Sequence, residues 1–370
     1  LIQQDQRDQA LVVMRRTLEF IEGTEKQIVD LVNWFTQQEA WEIVEETQNR
    51  FPDIFADQPT LLYRVAEARL KLGRKEEAEK TAAIALATRP DQLNDHLTAG
   101  LNLQNRGLFD WAEREYSLVI ERGTDASFYS VRGCFLLSEM QHDQGRTGAA
   151  AKTLEHVVTW MDEGAKKNDV LNMIVGWGRE PGAVRSRWRY FRACELGEKG
   201  NFAEQRKELE LGIDSENGDP TDADVLISLY RLPEPTPEQD QKTRELIESA
   251  VAQFRNEIQS ARQSLEMAPN ENQQLAFTIE LATASNQMAW LIANTAGDYD
   301  EAVQASHRSL ELRPDTAAYY DTLGRCYFAK GDLPNAIKYQ KQALRLEPHS
   351  GQMHRQLEKF EKALAASKKE

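Results

Sequence analysis

The chain has 370 residues, 60 acidic and 45 basic, for a formal net charge of −15; this argues against a general duplex nucleic-acid partner, which needs an electropositive footprint. Its three cysteines, Cys134, Cys194 and Cys326, are odd in number, far apart and without a CxxC pair, which argues against a disulfide framework or a cysteine zinc site and for three small core positions. No run of about 18 apolar residues occurs, so no membrane-spanning helix is expected. The chain opens on Leu1 without a signal peptide; this reads as a processed product or a fragment, and leaves a cytoplasmic and an exported location both open.

Residues 1–58 read as an N-terminal helical cap or degenerate repeats. Helices are predicted over Arg7 to Glu22, Lys26 to Phe35 and Glu39 to Arg50, packed through Trp34, Phe35, Trp41 and Ile43. Phe51-Pro52 ends the third, because the residue before proline is pushed out of the helical region. Residues 59–163 form a first block of helix hairpins: Pro59 to Gln92 turning at Gly73, Leu93 to Ala126 turning at Gly107, and Ser127 to Asp162 turning at Gly145. Residues 164–182 hold Gly164, Gly176, Gly178, Pro181 and Gly182, a hinge or bend with some helix around Val170 to Val175.

Residues 183–269 read as divergent helical repeats. A hairpin from Ala183 to Ile213 turns at Gly200-Asn201, and Gln205 stands where a small residue is usual. A polar, turn-rich stretch follows from Ser215 to Asp224, then a short helix, Val225 to Leu232, stopped by Pro233, Pro235 and Pro237. The long stripe Leu246, Ile247, Ala250, Val251, Phe254, Ile258, Ala261 and Leu265 predicts a helix from near Glu238 to Met267. Residues 270–350 form a C-terminal block, and 351–370 a capping helix and tail.

The strongest signal is a recurring frame. Ala78 and Ala112 stand 34 residues apart, as do Ala302 and Ala336, and Pro314 and Pro348. Small residues at fixed intervals let two helices approach, while large apolar neighbours fill the space beside them. The interval from Pro269 to Pro314 is 45, and the excess predicts about three extra helical turns ahead of Asn286. Together these patterns predict an all-α chain of antiparallel hairpins.

The stretches Asn286 to Ala293, Asp298 to Ala302 and Ala317 to Ser350, with Leu323, Gly324, Tyr327, Ala336 and Pro348, resemble the tetratricopeptide repeat, a 34-residue helix–turn–helix unit. They are closest in character to variants found in large multi-repeat bacterial proteins. The resemblance is firm over 59–126 and 283–350, looser over 127–213 and 238–269, and weak before 59. It implies a right-handed α-solenoid whose first helices line a concave surface that holds peptides or folded proteins. Some members grip C-terminal carboxylates with a Lys/Asn clamp. The corresponding positions here are Tyr63 and Glu67, Leu97 and Leu101, Gln287 and Leu291, and Asp321 and Arg325, which depart from that clamp and argue against a chaperone-tail receptor. Tyr63, Leu70, Leu97 and Leu101 suit helix-in-groove or extended-peptide recognition, or are covered by neighbouring helices of the same chain.

Motifs for chemistry are absent. None of the six histidines forms HExxH. His142 and His156 meet across the Gly145 turn only as two ligands in search of a third. The stretch Gly145 to Thr153 has Ala151 and Arg146 where a phosphate loop needs glycine. No metal or cofactor is therefore expected, and no catalytic residue is named. The local anomaly is basic: Arg179, Arg185, Arg187, Arg189 and Arg192, interleaved with Trp188, Tyr190 and Phe191. On a helix Arg185, Arg189 and Arg192 share a face, with Trp188 beside it. That face either docks an acidic partner segment or neutralises acidic helices such as Glu204 to Glu210.

The function expected from the sequence is a non-enzymatic scaffold or adaptor that binds a protein or peptide in a concave groove. A regulatory or accessory region of a larger enzyme is the alternative, and self-association is a further reading of the groove.

Overall fold

The protein is described from a computed structural model, which covers residues 7–123, 126–163, 165–215 and 222–367. Twenty α-helices and no strands occur among these residues. The chain divides into two compact units, 1–133 and 134–370. Of the sequence expectations, Gly164 of the glycine-rich stretch, residues 216–221 of the turn-rich stretch, and both chain ends (1–6 and 368–370) lie outside the described residues.

In the first unit, α1 (Arg7–Glu19), α2 (Glu25–Gln37), α3 (Trp41–Arg50) and α4 (Pro52–Ala56) precede two hairpins. These are α5 (Pro59–Lys71) with α6 (Lys75–Ala87), and α7 (Leu93–Asn105) with α8 (Phe109–Arg122). Local chemistry sets the boundaries. Thr24 and Gln27 form a reciprocal capping box at the start of α2, satisfying two backbone donors that a helix start leaves unpaired. Pro52 does end α3, yet it also opens α4, since a first-turn proline lacks only a donor that the helix would not use. Ile28, Val32, Phe35, Ile43, Val44 and Phe55 are wholly buried between these helices.

The second unit begins within α9 (Phe128–Asp143) and continues through α10 (Thr147–Asp162), α11 (Lys167–Gly176), α12 (Pro181–Glu198), α13 (Phe202–Ser215) and α14 (Ala223–Tyr230). Then come α15 (Pro237–Glu266), α16 (Glu271–Asn294), α17 (Tyr299–Leu312), α18 (Ala317–Ala329), α19 (Leu333–Leu346) and α20 (Gly351–Ser367). At 30 and 24 residues, α15 and α16 are about twice the length of the repeat helices, and the extra length of α16 accounts for the long interval between Pro269 and Pro314. Helices pack on sequence neighbours and next-nearest neighbours: α16, for example, touches α14, α15, α17 and α18. A continuous core runs from Leu209 and Val225 through Phe254 to Leu291 and Ala302.

Ala78, Ala112, Ala302 and Ala336 have no exposed surface. The hairpin turn before α19 uses Gly331 at φ +81°, a backbone conformation that glycine adopts without steric penalty. In the α12–α13 hairpin the usual order of sizes is reversed: a Cβ at Gly197 would lie 2.7 Å from the Gln205 side-chain amide. The long side chain thus occupies the gap that a glycine on the opposing helix leaves.

Candidate functional site

The second unit holds an open cavity of about 600 Å³. It is lined mainly by first helices of successive hairpins. Phe135 and Glu139 come from α9, Ala183, Val184 and Arg187 from α12, and Asp222 and Asp224 from the start of α14. Asn286, Gln287 and Trp290 of α16, Ala318, Asp321 and Thr322 of α18, and Gln352 of α20 complete the wall, with Arg179 and Glu180 ahead of α12.

One side is an ion cluster centred on Arg187. Its guanidinium grips Glu139 with both prongs, Nε to Oε1 at 2.9 Å and Nη2 to Oε2 at 2.8 Å. Nη1 donates to Asp222 Oδ2 at 3.2 Å and Asp224 Oδ2 at 2.9 Å. The same guanidinium lies 4.9 Å from the ring centroids of Tyr190 and Phe191, adding cation–π attraction. Asp222 caps α14, accepting the Asp224 N–H at 3.0 Å, and the Trp290 indole N–H donates to Asp224 Oδ1 at 2.9 Å. Three carboxylates therefore share one guanidinium. Burial pushes Asp222 up to about 6, against the pull of Arg187. Burial also raises Asp224, but Arg187, Trp290 and their hydrogen bonds outweigh it and hold that carboxylate low.

The lining also includes Asp321, 6% exposed. Its Oδ1 accepts the side-chain amides of Gln340 and, at 3.1 Å, of Gln356. Among the described residues no cation is hydrogen-bonded to it, and burial pushes its carboxyl up to about 6. Nearby, Asn286 Oδ1 is buried with no hydrogen-bond partner among the described residues.

The repeat positions named from sequence separate into two sets. Gln287 and Asp321 line this cavity. Leu291 is fully buried in the core. Arg325, one turn beyond Asp321, donates from Nε to Asn294 Oδ1 at 2.8 Å and stacks 5.0 Å from the Phe328 ring. Burial and then Arg231 pull its guanidinium down to about 10. In the first unit, Tyr63 and Glu67 line a smaller cavity of about 260 Å³. Glu67 is gripped there by Arg106, at 2.5 and 2.6 Å. Leu97 is buried, and Leu70 and Leu101 are half-buried outside that lining.

The arginine run is matched by partners within the chain. Arg185 pairs with Asp162 at 2.5 Å, and Arg189 and Arg192 flank Glu208 at 2.7 and 3.0 Å. Trp188 lies under both, 5.2 and 4.8 Å from their guanidinium carbons. Of the arginines on α12, the one that lines the cavity is Arg187, which a search for one helix face passes over because it lies about 200° from Arg185. Its signal in the sequence is the pair Asp222 and Asp224, which sequence reading placed only in a polar turn.

Residues 280–347 match the family model described as Tetratricopeptide repeat. No curated protein matches the chain. Among solved structures, the P58(IPK) TPR domain aligns at 14% identity over 94% of this chain and 99% of that one, with a TM-score of 0.23. The TPR2AB-domain:pHSP90 complex of yeast Sti1 aligns at 14% identity over 73% and 97%, with a TM-score of 0.25. The APC/C hetero-tetramer Cut9–Hcn1 aligns at 14% identity over 94% and 59%, with a TM-score of 0.33. Scores of this size say nothing of a shared site or partner. Residues 280–347 thus match the tetratricopeptide repeat in sequence, and the described residues are all-α, built of successive helix hairpins.

Proposed function

We propose that this protein is an interaction scaffold that holds a segment of a polypeptide partner in the cavity of its second unit. The helical-repeat fold supports a protein-interaction role in general. The observation that carries the specific reading is the cavity itself: about 600 Å³, walled by successive first helices and including the repeat positions Gln287 and Asp321. That volume is within the range of ligand-binding clefts. A preformed wall lowers the ordering penalty of association, so affinity depends on how well the side chains complement the guest.

The test is a displayed peptide library panned against the full chain. Ala318 is exposed and lines the cavity, so Ala318→Trp fills the space without touching the core. Selected peptides are expected to bind the Trp variant at least about tenfold more weakly, a difference of about 1.4 kcal/mol. Equal binding to both forms would place the partner surface elsewhere and end this reading.

A further inference from the structure

We propose that the cavity of the second unit receives the cationic side chain of an arginine or lysine on the partner, seated against the Asp321 carboxylate. This rests on the peptide-holding reading above and adds the chemistry of the guest.

Asp321 is the central observation. A carboxylate this deeply buried normally has a positive partner. Here two glutamine amides meet one of its oxygens, and among the described residues no lysine, arginine or histidine is hydrogen-bonded to it. The second, independent observation is Asn286 Oδ1, an acceptor in the same lining, buried and without a donor. Buried acceptors left open in a native protein call for an explanation. A guanidinium or ammonium group supplies positive charge and several N–H donors and no acceptor: Asp321 lacks a hydrogen-bonded cation, and Asn286 Oδ1 lacks a donor.

The charge of the wall agrees. Glu139, Glu180, Asp222, Asp224 and Asp321 face only Arg179 and Arg187 in the lining. Arg187 is already divided among three carboxylates, and Arg179 lies over the Phe135 ring at 5.1 Å. The negative surplus is therefore not cancelled from within. A bare metal ion is a poorer guest, since among the described residues no three His, Cys, Asp or Glu side chains are placed to hold one. An aromatic wall adds to the fit, because Trp290 lines the cavity and an indole attracts cations strongly. Because burial makes Asp321 harder to ionise, a bound cation would also stabilise its charged form, and binding should tighten as pH rises toward 7.

The experiment uses the full chain and two short probe peptides, acetyl-Gly-Ala-Arg-Ala-Gly-amide and its neutral citrulline isostere. Binding is read from the NMR signal of the Trp290 indole N–H, up to about 10 mM, a concentration at which one good charged contact is detectable. The arginine peptide is expected to bind at least about tenfold more tightly than the citrulline peptide. Asp321→Asn, which keeps an acceptor for the glutamine amides, should abolish that preference. Asn286→Leu, on a different helix, should weaken it and guards against a folding defect in the first variant. The exposed pair Glu76→Gln and Glu77→Gln, on α6, should leave it unchanged.

Equal binding of the two peptides, blocked by Ala318→Trp, would overturn the cationic guest while sparing the peptide-holding reading. A preference that survives Asp321→Asn would mean attraction to the acidic surface at large, and would also overturn it. No response at Trp290 to either peptide would overturn it as well; the library selection decides separately whether the cavity holds peptides at all.

Discussion

The Asp143 side chain, at the end of α9, caps the start of α20. Its Oδ1 accepts the Ser350 hydroxyl at 2.9 Å and the Gln352 N–H at 3.0 Å, and its Oδ2 accepts the Gly351 N–H at 2.8 Å. Arg355 also donates to the Asp143 carbonyl at 2.9 Å. In an open solenoid each repeat touches only its neighbours. In the second unit the last helix returns to the first, across about 200 residues of sequence, and helps wall the cavity that Gln352 lines. A negative side chain at a helix start satisfies unpaired N–H groups and favours the helix dipole. Asp143→Ala should destabilise the protein by about 1 kcal/mol, lowering the melting temperature by about 2–4 °C. Hydrogen exchange should accelerate at the Gly351 and Gln352 amides. Unchanged exchange there would show that the clasp is not formed in solution.

Asp321 makes stability depend on pH in an unusual direction. Burial raises its carboxyl from 3.8 to about 6, so between those values the folded protein binds more protons than the unfolded chain. Stability from this group is therefore greatest below about pH 4, falls as pH rises to about 6, and is level above. Glu139 is affected in the opposite sense: burial raises its carboxyl, but Arg187 outweighs burial and holds it low. Asp321 is thus isolated by comparing Asp321→Asn with the parent. The variant should be the more stable at pH 7, by at most about 3 kcal/mol for a shift of about two pH units, and the gain should shrink toward pH 4. Urea denaturation at several pH values measures it. A variant less stable than the parent at pH 7 would show that the carboxylate is already compensated. If the gain appears together with loss of arginine binding, the buried charge is a case of stability given up for function.

How much of this was legible in the sequence follows from the range of each interaction. The hairpins were legible because their determinants are local: small residues 34 apart, turn glycines, and prolines at helix ends. Even the extra length of α16 could be read from one displaced proline. The five-residue α4 was missed, since Phe51-Pro52 signals the end of one helix as strongly as the start of another. The cavity was not legible as a site. Phe135 and Gln352 reach one wall only because α20 folds back onto α9, and no periodicity records that return. Gln287 and Asp321 were found through the repeat frame, whereas Arg187 required knowing that Asp222 and Asp224 stand beside it. The frame also named Leu291, whose side chain goes to the core, since neighbouring positions on a helix diverge once packing fixes its rotation.

In the first unit, His96 is enclosed by two acceptors. Nδ1 is 2.5 Å from Glu115 Oε2 and Nε2 is 3.2 Å from the Arg89 carbonyl oxygen. The Arg89 carbonyl can only accept, which places a proton on Nε2, and the Glu115 hydrogen bond and charge favour a second proton on Nδ1. Burial alone would lower the His96 pKa, but the Glu115 hydrogen bond and charge outweigh it, and Asp95 adds to the rise. The stabilisation is fully present below the unfolded value of about 6.5 and is lost as pH rises through the higher folded value. An NMR titration of the His96 ring should give a midpoint above about 6.5. Glu115→Ala leaves an enclosed cation without its partner and should destabilise by about 3–5 kcal/mol. A His96 midpoint below that of an exposed histidine would mean that the ring is neutral and the sign of the pH dependence reversed.

Close approach of hairpin helices is tested most directly at Gly100 on α7. A Cβ there would lie 2.6 Å from Tyr116 Cε1 and 2.9 Å from Cδ1. The Tyr116 ring cannot swing away, because it is fully buried and its hydroxyl donates to Gln104 Oε1 at 2.9 Å. Gly100→Ala should therefore destabilise by about 1–3 kcal/mol, the usual penalty for one surplus carbon in a filled core. Gly176, at the end of α11, has no atom within 4 Å of its would-be Cβ, so Gly176→Ala gains helix propensity without a clash and should stabilise by about 0.5–1 kcal/mol. The two substitutions are chemically identical and should differ in sign. Equal effects would mean that backbone propensity, and not the contact between α7 and α8, governs where this chain places glycine within its helices.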